Sequence, residues 1–569
     1  MAMRRRELFQ ISASALAAAA LGGCKDHDVP HAGALAPGSA APVPPVAPRD
    51  DAARGSAATT LVPTGIAAPP HAELEEVAIA ELAARLASGA ETTRSLVTKY
   101  RARIAALDPT LHAVIALDPD ADTTAARLDS ERAAGKLRGP LHGIPILVKD
   151  NIDAAGKLAT TAGSLALADT VAPHDSFVVA QLRAAGALIL GKANLSEWAN
   201  LRGMASSSGW SAVGGQCRNP YALDRSPSGS SSGSAVAVAA NLCAGALGSE
   251  TDGSIVSPAS CNGVVGVKPT VGLVSRAGVI PISASQDTVG PLARTVADAA
   301  LLLSAIAGPD PADPSTTAPH PLRPATREDY SRLLDPKALA GVRIGIPRTG
   351  YTGLSRPVDA NLERALAVLT SLGAVLVDPI ELEVAPEVGV AELEVMQTEL
   401  KAGLAAYLAT RGLPALTTVA DLIAFNTAHA DRELPRFGQE HFEAAQAKGD
   451  LTSAPYLAAR ASSLAATRDV IDKAMVEHQL DAIVAATSGT AWLIDPINGD
   501  GITPSCSTPA AVAGYPHVTV PAGAYLGLPL GLSFFGRPYS EAKLLASAFA
   551  YEQATHLRTP PRYLATAGE

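Results

Sequence analysis

Pro227-Ser228-Gly229-Ser230-Ser231-Ser232-Gly233-Ser234-Ala235 is a run of small residues. A second run, Glu250-Thr251-Asp252-Gly253-Ser254-Ile255, sets another serine 24 positions after Ser230. Upstream, Gly143-Ile144-Pro145-Ile146-Leu147-Val148-Lys149-Asp150 ends an apolar segment on a lysine. A lysine at the end of a buried strand loses hydration, so its pKa falls and it becomes a base near neutral pH. With such a base, one serine can relay a proton while the other attacks an acyl carbon, and no histidine is needed. Gly- and Ser-rich loops also let backbone N–H groups converge on one point, as a developing oxyanion requires. Taken singly, a Ser/Gly run is a flexible loop and a lysine after a strand is a solvated end. The three in this order argue for a nucleophilic apparatus.

On these residues the chain resembles the amidase signature hydrolases. The similar runs are 143–153, Gly191-Lys192-Ala193-Asn194-Leu195, Arg218-Asn219-Pro220-Tyr221 and 226–270. They resume at Ala510-Ala511-Val512-Ala513-Gly514-Tyr515-Pro516 and Gly527-Leu528-Pro529-Leu530-Gly531-Leu532, so the resemblance spans 73–560. It implies one large α/β/α domain over 71–569, with a central mixed sheet covered by helices. It also implies a Ser–cis-Ser–Lys triad: Lys149 as base, Ser230 as bridging serine after a cis peptide bond, and Ser254 as acyl-forming nucleophile. The backbone N–H groups of Thr251, Asp252, Gly253 and Ser254 match the family's oxyanion loop. Met204 falls where the family brings a backbone carbonyl near the substrate; its other reading is a packed loop methionine. Trp198 reads as a core anchor.

Ser228 and Ser232 stand where many members carry glycine, and Asp252 replaces the first of two glycines before the nucleophile. These departures are similar to the bacterial peptide amidases, which hydrolyse the C-terminal carboxamide of peptides and release ammonia. So are Asn194-Leu195-Ser196-Glu197-Trp198-Ala199-Asn200 and Asp421-Leu422-Ile423-Ala424-Phe425-Asn426. Members that handle anionic substrates often carry an arginine two or three residues after the nucleophile. Here Val256 and Ser257 occupy those places, which argues for a neutral acyl group unless Arg202 or Arg225 folds into the site.

The rest of the chain fits an enzyme of this kind. Leu96, Val97, Tyr100 and Ile104 give helical spacing over 92–106. Strands are expected at 144–148, 187–190, 342–346 and 482–485, and helices at 176–185 and 234–241. This alternation predicts an α/β domain, and 380–480 reads as a mainly helical covering layer. The composition, 47% hydrophobic and 18% charged, supports a large core. A net charge of −10 with pI near 5.7 opposes nucleic-acid binding. The 12 histidines are dispersed, and no metal-ligand spacing occurs, so neither metal nor cofactor is expected. The expected partner is a small-molecule or peptide amide substrate.

Arg4-Arg5-Arg6, then an alanine-rich apolar run ending Leu21-Gly22-Gly23-Cys24, reads over 1–24 as an export signal with a lipobox. Arg5-Arg6-Glu7-Leu8-Phe9 also resembles a twin-arginine signal. Residues 25–70, rich in Pro and Ala, read as a disordered linker. The expectation is an exported, periplasmic or cell-envelope lipoprotein. With Lys25 after Cys24 it is an outer-membrane one in a two-membrane cell, touching membrane only through the lipid. Of the 5 cysteines, the four beyond Cys24 allow either pairing or buried free thiols. Three rival readings stay open: a general amidase for fatty, aryl or small aliphatic amides; the glutamine-hydrolysing part of a tRNA amidotransferase, which the export signal opposes; and a non-catalytic lipid-anchored binding protein.

Overall fold

A computed structural model describes residues 69–353, 355–501 and 503–568. The expected signal, Cys24 and all but the last two residues of the expected linker lie outside the described residues. The strands among them are β1 (Val114–Leu117), β2 (Pro145–Lys149), β3 (Leu188–Ala193), β4 (Trp210–Ser211), β5 (Gly215–Gln216), β6 (Gly245–Glu250), β7 (Val265–Lys268), β8 (Thr288–Ala293), β9 (Arg343–Pro347), β10 (Val375–Ile380), β11 (Ala482–Ala486), β12 (His517–Tyr525) and β13 (Leu528–Phe535). β4 and β5 form a small hairpin. The other eleven form one mixed sheet, in the order β1-β3-β2-β6-β8-β7-β12-β13-β11-β9-β10.

β2 runs parallel to both neighbours, β3 and β6, and all three are buried along their length. That burial on both faces is why 144–148 reads as a continuous apolar run rather than an alternating one. Val148 pairs with Leu247, so the C-terminal ends of β2 and β6 lie side by side, bringing Lys149 next to Ser249. Carboxyl ends of parallel strands are where α/β sheets place their ligand sites.

The helix Ser232–Ala239 is wholly buried over this part of the sheet. It begins two residues before the expected 234, and in its first turn the Ser232 hydroxyl donates back to the carbonyl of Ser228 at 2.6 Å. At Gly233 a Cβ would lie 2.5 Å from the Asn194 nitrogen; only glycine permits so close an approach of helix to loop. On the other side, helices Thr93–Leu111 and Val296–Ile306 bury Leu96, Tyr100, Ile104, Leu302 and Leu303 in the main core. Thr92 caps the first of these in a reciprocal capping box with Ser95.

The segment 380–480 is largely helical, as expected, in helices Glu387–Ala409, Val419–Ala428, Glu440–Ala447 and Ala454–Glu477. A second core holds the first three to the signature domain: Trp198 meets Phe442 edge-on at 5.4 Å, among Leu400, Leu404 and Leu422. Trp198 is therefore a core anchor. Arg202 adds an electrostatic tie. It is fully buried, pairs with Glu197 and Glu433, and lies 4.2 Å from the Phe437 ring. Cys217, Cys243, Cys261 and Cys506 are all buried free thiols, not disulfides. No described helix is long and apolar enough to cross a membrane.

Candidate active site

Lys149 ends β2 with its side chain wholly buried. Its Nζ lies 2.7 Å from Ser230 Oγ, 3.0 Å from Ser249 Oγ and 3.1 Å from the Ser249 carbonyl. Asn151 Nδ2 donates to the same Ser249 hydroxyl at 2.9 Å, fixing it in place. Burial pushes the Lys149 pKa down to about 7, against the pull of the Glu250 and Asp287 carboxylates. This lysine is thus available as a neutral base at ordinary pH.

Ser230 follows a cis peptide bond from Gly229 and is fully buried. Its carbonyl accepts from Ser196 N–H at 3.1 Å, and the next N–H, of Ser231, donates to the Ser254 carbonyl at 3.0 Å. The two serine runs are therefore joined directly.

Beside them opens a cavity of about 340 Å3. Thr251, Asp252, Gly253 and Ser254 form one wall, with Gly229 and Ser228 next to them. Ile282, Met396 and Trp492 supply apolar surface. Ser254 is 9% exposed, whereas Lys149 and Ser230 are 0% exposed and do not line the cavity. Of the three, Ser254 is the one at the cavity, and the Ser230–Lys149 pair is buried.

Glu250 shapes the loop between β6 and Ser254. Its Oε2 accepts from Ile255 N–H at 2.7 Å and Val256 N–H at 3.0 Å, closing a tight turn. The N–H groups of Asp252, Gly253 and Ser254 have no acceptor among the described residues, leaving three donors at the cavity wall. The Thr251 hydroxyl donates to Asp287 at 2.6 Å.

The glycine replacements cost this loop little. Gly253, not Asp252, takes the left-handed conformation, at φ 75°. Ser232 is helical and also needs no glycine. Ser228 alone sits at positive φ, 61°, with its hydroxyl 2.8 Å from that of Ser257; a short polar side chain is tolerated there better than a bulky one.

Met204 is 57% exposed, its N–H donates to Glu440 at 3.0 Å, and it is not among the residues lining this cavity. Neither Arg202 nor Arg225 lines it either: Arg202 is engaged by Glu197 and Glu433, and Arg225 faces Asp224. Local sequence reading missed Ser249, which bonds Lys149, and Met396, Trp492 and Asp500, which complete the walls. Ser249 immediately precedes Glu250, and its place beside the loop is the signal that could have found it. The other three come from segments more than 140 positions beyond Ser254, and no local signal marks them.

A serine-lined cavity at the carboxyl ends of parallel strands, with a buried lysine of lowered pKa behind it, is consistent with a hydrolase of the α/β class. The chain belongs to the amidase signature family: the family model named Amidase matches residues 95–545. It is similar to the crystal structure of native peptide amidase from Stenotrophomonas maltophilia, at 52% identity and TM-score 0.82, over 86% of this chain and 99% of that one. Among curated proteins it is 42% identical to a probable amidase of Arabidopsis thaliana, over 87% of this chain and 92% of the relative. It is 38% identical to a putative amidase of Arthroderma benhamiae, over 81% and 79%.

Proposed function

We propose that this amidase hydrolyses the C-terminal carboxamide of peptides through Ser254, Ser230 and Lys149. Neutral Lys149 takes the Ser230 proton as Ser230 takes that of Ser254, and Ser254 Oγ attacks the amide carbon. The unengaged N–H groups of Asp252, Gly253 and Ser254 receive the oxyanion. The proton returns along the same relay to the leaving nitrogen, the C–N bond breaks and ammonia departs. Water then gives up a proton through the relay, attacks the acyl-serine and releases the carboxylic acid. No step needs a cofactor. The observation that carries this reading is the order of exposure: Ser254 alone of the three lines the cavity, while Lys149 touches Ser230 from behind.

The substrate class is supported by the lining, which has no lysine or arginine among the described residues to hold an anionic acyl group. The similarity to a peptide amidase supports it independently. A protected dipeptide amide is expected to release ammonia faster than a fatty amide. The same peptide extended by one residue should be cut poorly at the internal bond, because its leaving amine needs room that ammonia does not. The check is ammonia and fragment release measured side by side. Faster hydrolysis of the fatty amide would favour the general-amidase alternative, and efficient internal cleavage would end the carboxamide reading.

We also propose that the enzyme is exported and held by a lipid on Cys24, on the Leu21-Gly22-Gly23-Cys24 run alone. Wild type should fractionate with membranes and Cys24→Ala should not. A fully soluble wild type would leave ordinary secretion as the reading.

A further inference from the structure

Hydrolysis changes the charge of what the cavity holds. A neutral carboxamide enters, and a carboxylate has to leave. The described lining carries two charged side chains, Asp252 and Asp500, both acidic. They are not equivalent. Asp500 is held by Ser208 N–H at 2.9 Å, Ser208 Oγ at 2.6 Å and Trp492 Nε1 at 2.9 Å, so its charge is shared among donors. Asp252 accepts from Thr508 Oγ1 at 2.7 Å through Oδ2, while its Oδ1 is buried with no hydrogen-bond partner. It sits in the same loop as Ser254, next to the three unengaged N–H groups.

A second buried carboxyl lies close to Asp252. Glu392, from the covering helix Glu387–Ala409, is buried behind it and accepts from Gln286 Nε2 at 2.8 Å; the same amide lies 3.4 Å from the Thr251 carbonyl. Burial first, and then the nearby Asp252 charge, push Glu392 well above the usual carboxylate range, which makes Glu392 the readier of the two to hold a proton. Burial raises Asp252 above its ordinary value as well, less far than Glu392, with the Thr508 bond, the nearby Ser507 hydroxyl and the Lys268 charge opposing the rise. Lys268 and Glu250 complete the charged groups of this cluster. The Lys268 ammonium bonds the Tyr515 carbonyl at 2.7 Å and not Asp252.

We propose that Asp252 is a specificity-determining residue that makes the reacting end of the cavity reject carboxylates. The enzyme then takes carboxamides, refuses C-terminal acids and expels its own product. This rests on the carboxamide-hydrolase reading above. Like charges brought together in a site of low dielectric repel strongly enough to suppress a wrong ligand by an order of magnitude or more.

The test compares two inhibitors of peptide-amide hydrolysis at pH 8: the product acid and the matching peptide alcohol, which is neutral. In wild type the acid is expected to inhibit about tenfold more weakly, or worse, than the alcohol. Asp252→Asn should close that gap, because Asn keeps the Thr508 contact and removes the charge. Asp500→Asn should leave the gap standing. Equal inhibition in wild type overturns the proposal without any variant. A gap that survives in folded Asp252→Asn, or one that closes in Asp500→Asn instead, overturns the assignment to Asp252. Failure of the substrate reading looks different: no peptide amide releases ammonia, and the acid–alcohol pair is then built on whichever amide is cleaved.

Discussion

Ser254→Ala is expected to lower amide hydrolysis by about 10⁴-fold or more while leaving the fold unchanged. One oxygen is removed from a side chain whose backbone, not its hydroxyl, holds the loop: Ser231 N–H donates to the Ser254 carbonyl. Glu250 continues to clamp Ile255 and Val256. The loss should therefore appear in kcat with an unaltered thermal midpoint. A fluorophosphonate should label Ser254, read by peptide mass spectrometry. Labelling confined to Ser230 or Ser231 would reverse the roles, but neither is reachable from solvent, since both are fully buried.

The second large effect concerns the base. Lys149→Arg is expected to reduce kcat by about 10³-fold or more, because arginine stays protonated and cannot accept the Ser230 proton. In wild type, kcat/KM should be level above pH 7 and fall about tenfold per pH unit below it. The sign follows from the role: the active form has neutral lysine, burial sets its pKa at about 7, and acid refills the site with a proton. A near-normal Lys149→Arg enzyme, or a rate rising toward acid, contradicts the assignment.

The clustering of Lys149, Ser230 and the loop to Ser254 was more legible in the sequence than the strand order around it. Lys149 could be read because an unbroken apolar run, 144–148, precedes the charge, and desolvation is a local property. The runs around Ser230 and Ser254 could be read because small residues let backbone approach backbone, as at Gly233, or turn left-handed, as at Gly253. The elements at 144–148, 342–346 and 482–485 were visible for the same reason, and match β2, β9 and β11 to within a residue or two. Strand order was not visible. β12 pairs with β7 across some 250 positions, and nothing in either segment names its partner. The cavity walls share that difficulty: Met396 and Trp492 look like ordinary core residues until the covering layer folds over the sheet. Met204, a position carried over from the family resemblance, lies on an exposed loop with its N–H bonded to Glu440, which no local sequence signal announces.

The four buried cysteines have a bearing on where such an enzyme can operate. Burial pushes Cys243, Cys261 and Cys506 up to about 12, and Cys217 well above its ordinary value, so almost no thiolate exists in the folded state. Thiolate is the species that oxidants, alkylating agents and disulfide exchange require. The fold thus carries its cysteine sulfur in an inert form, and the proposed relay uses none of it. In the folded state these four thiols are therefore poor targets for oxidation and disulfide exchange, whichever redox compartment surrounds the described domain.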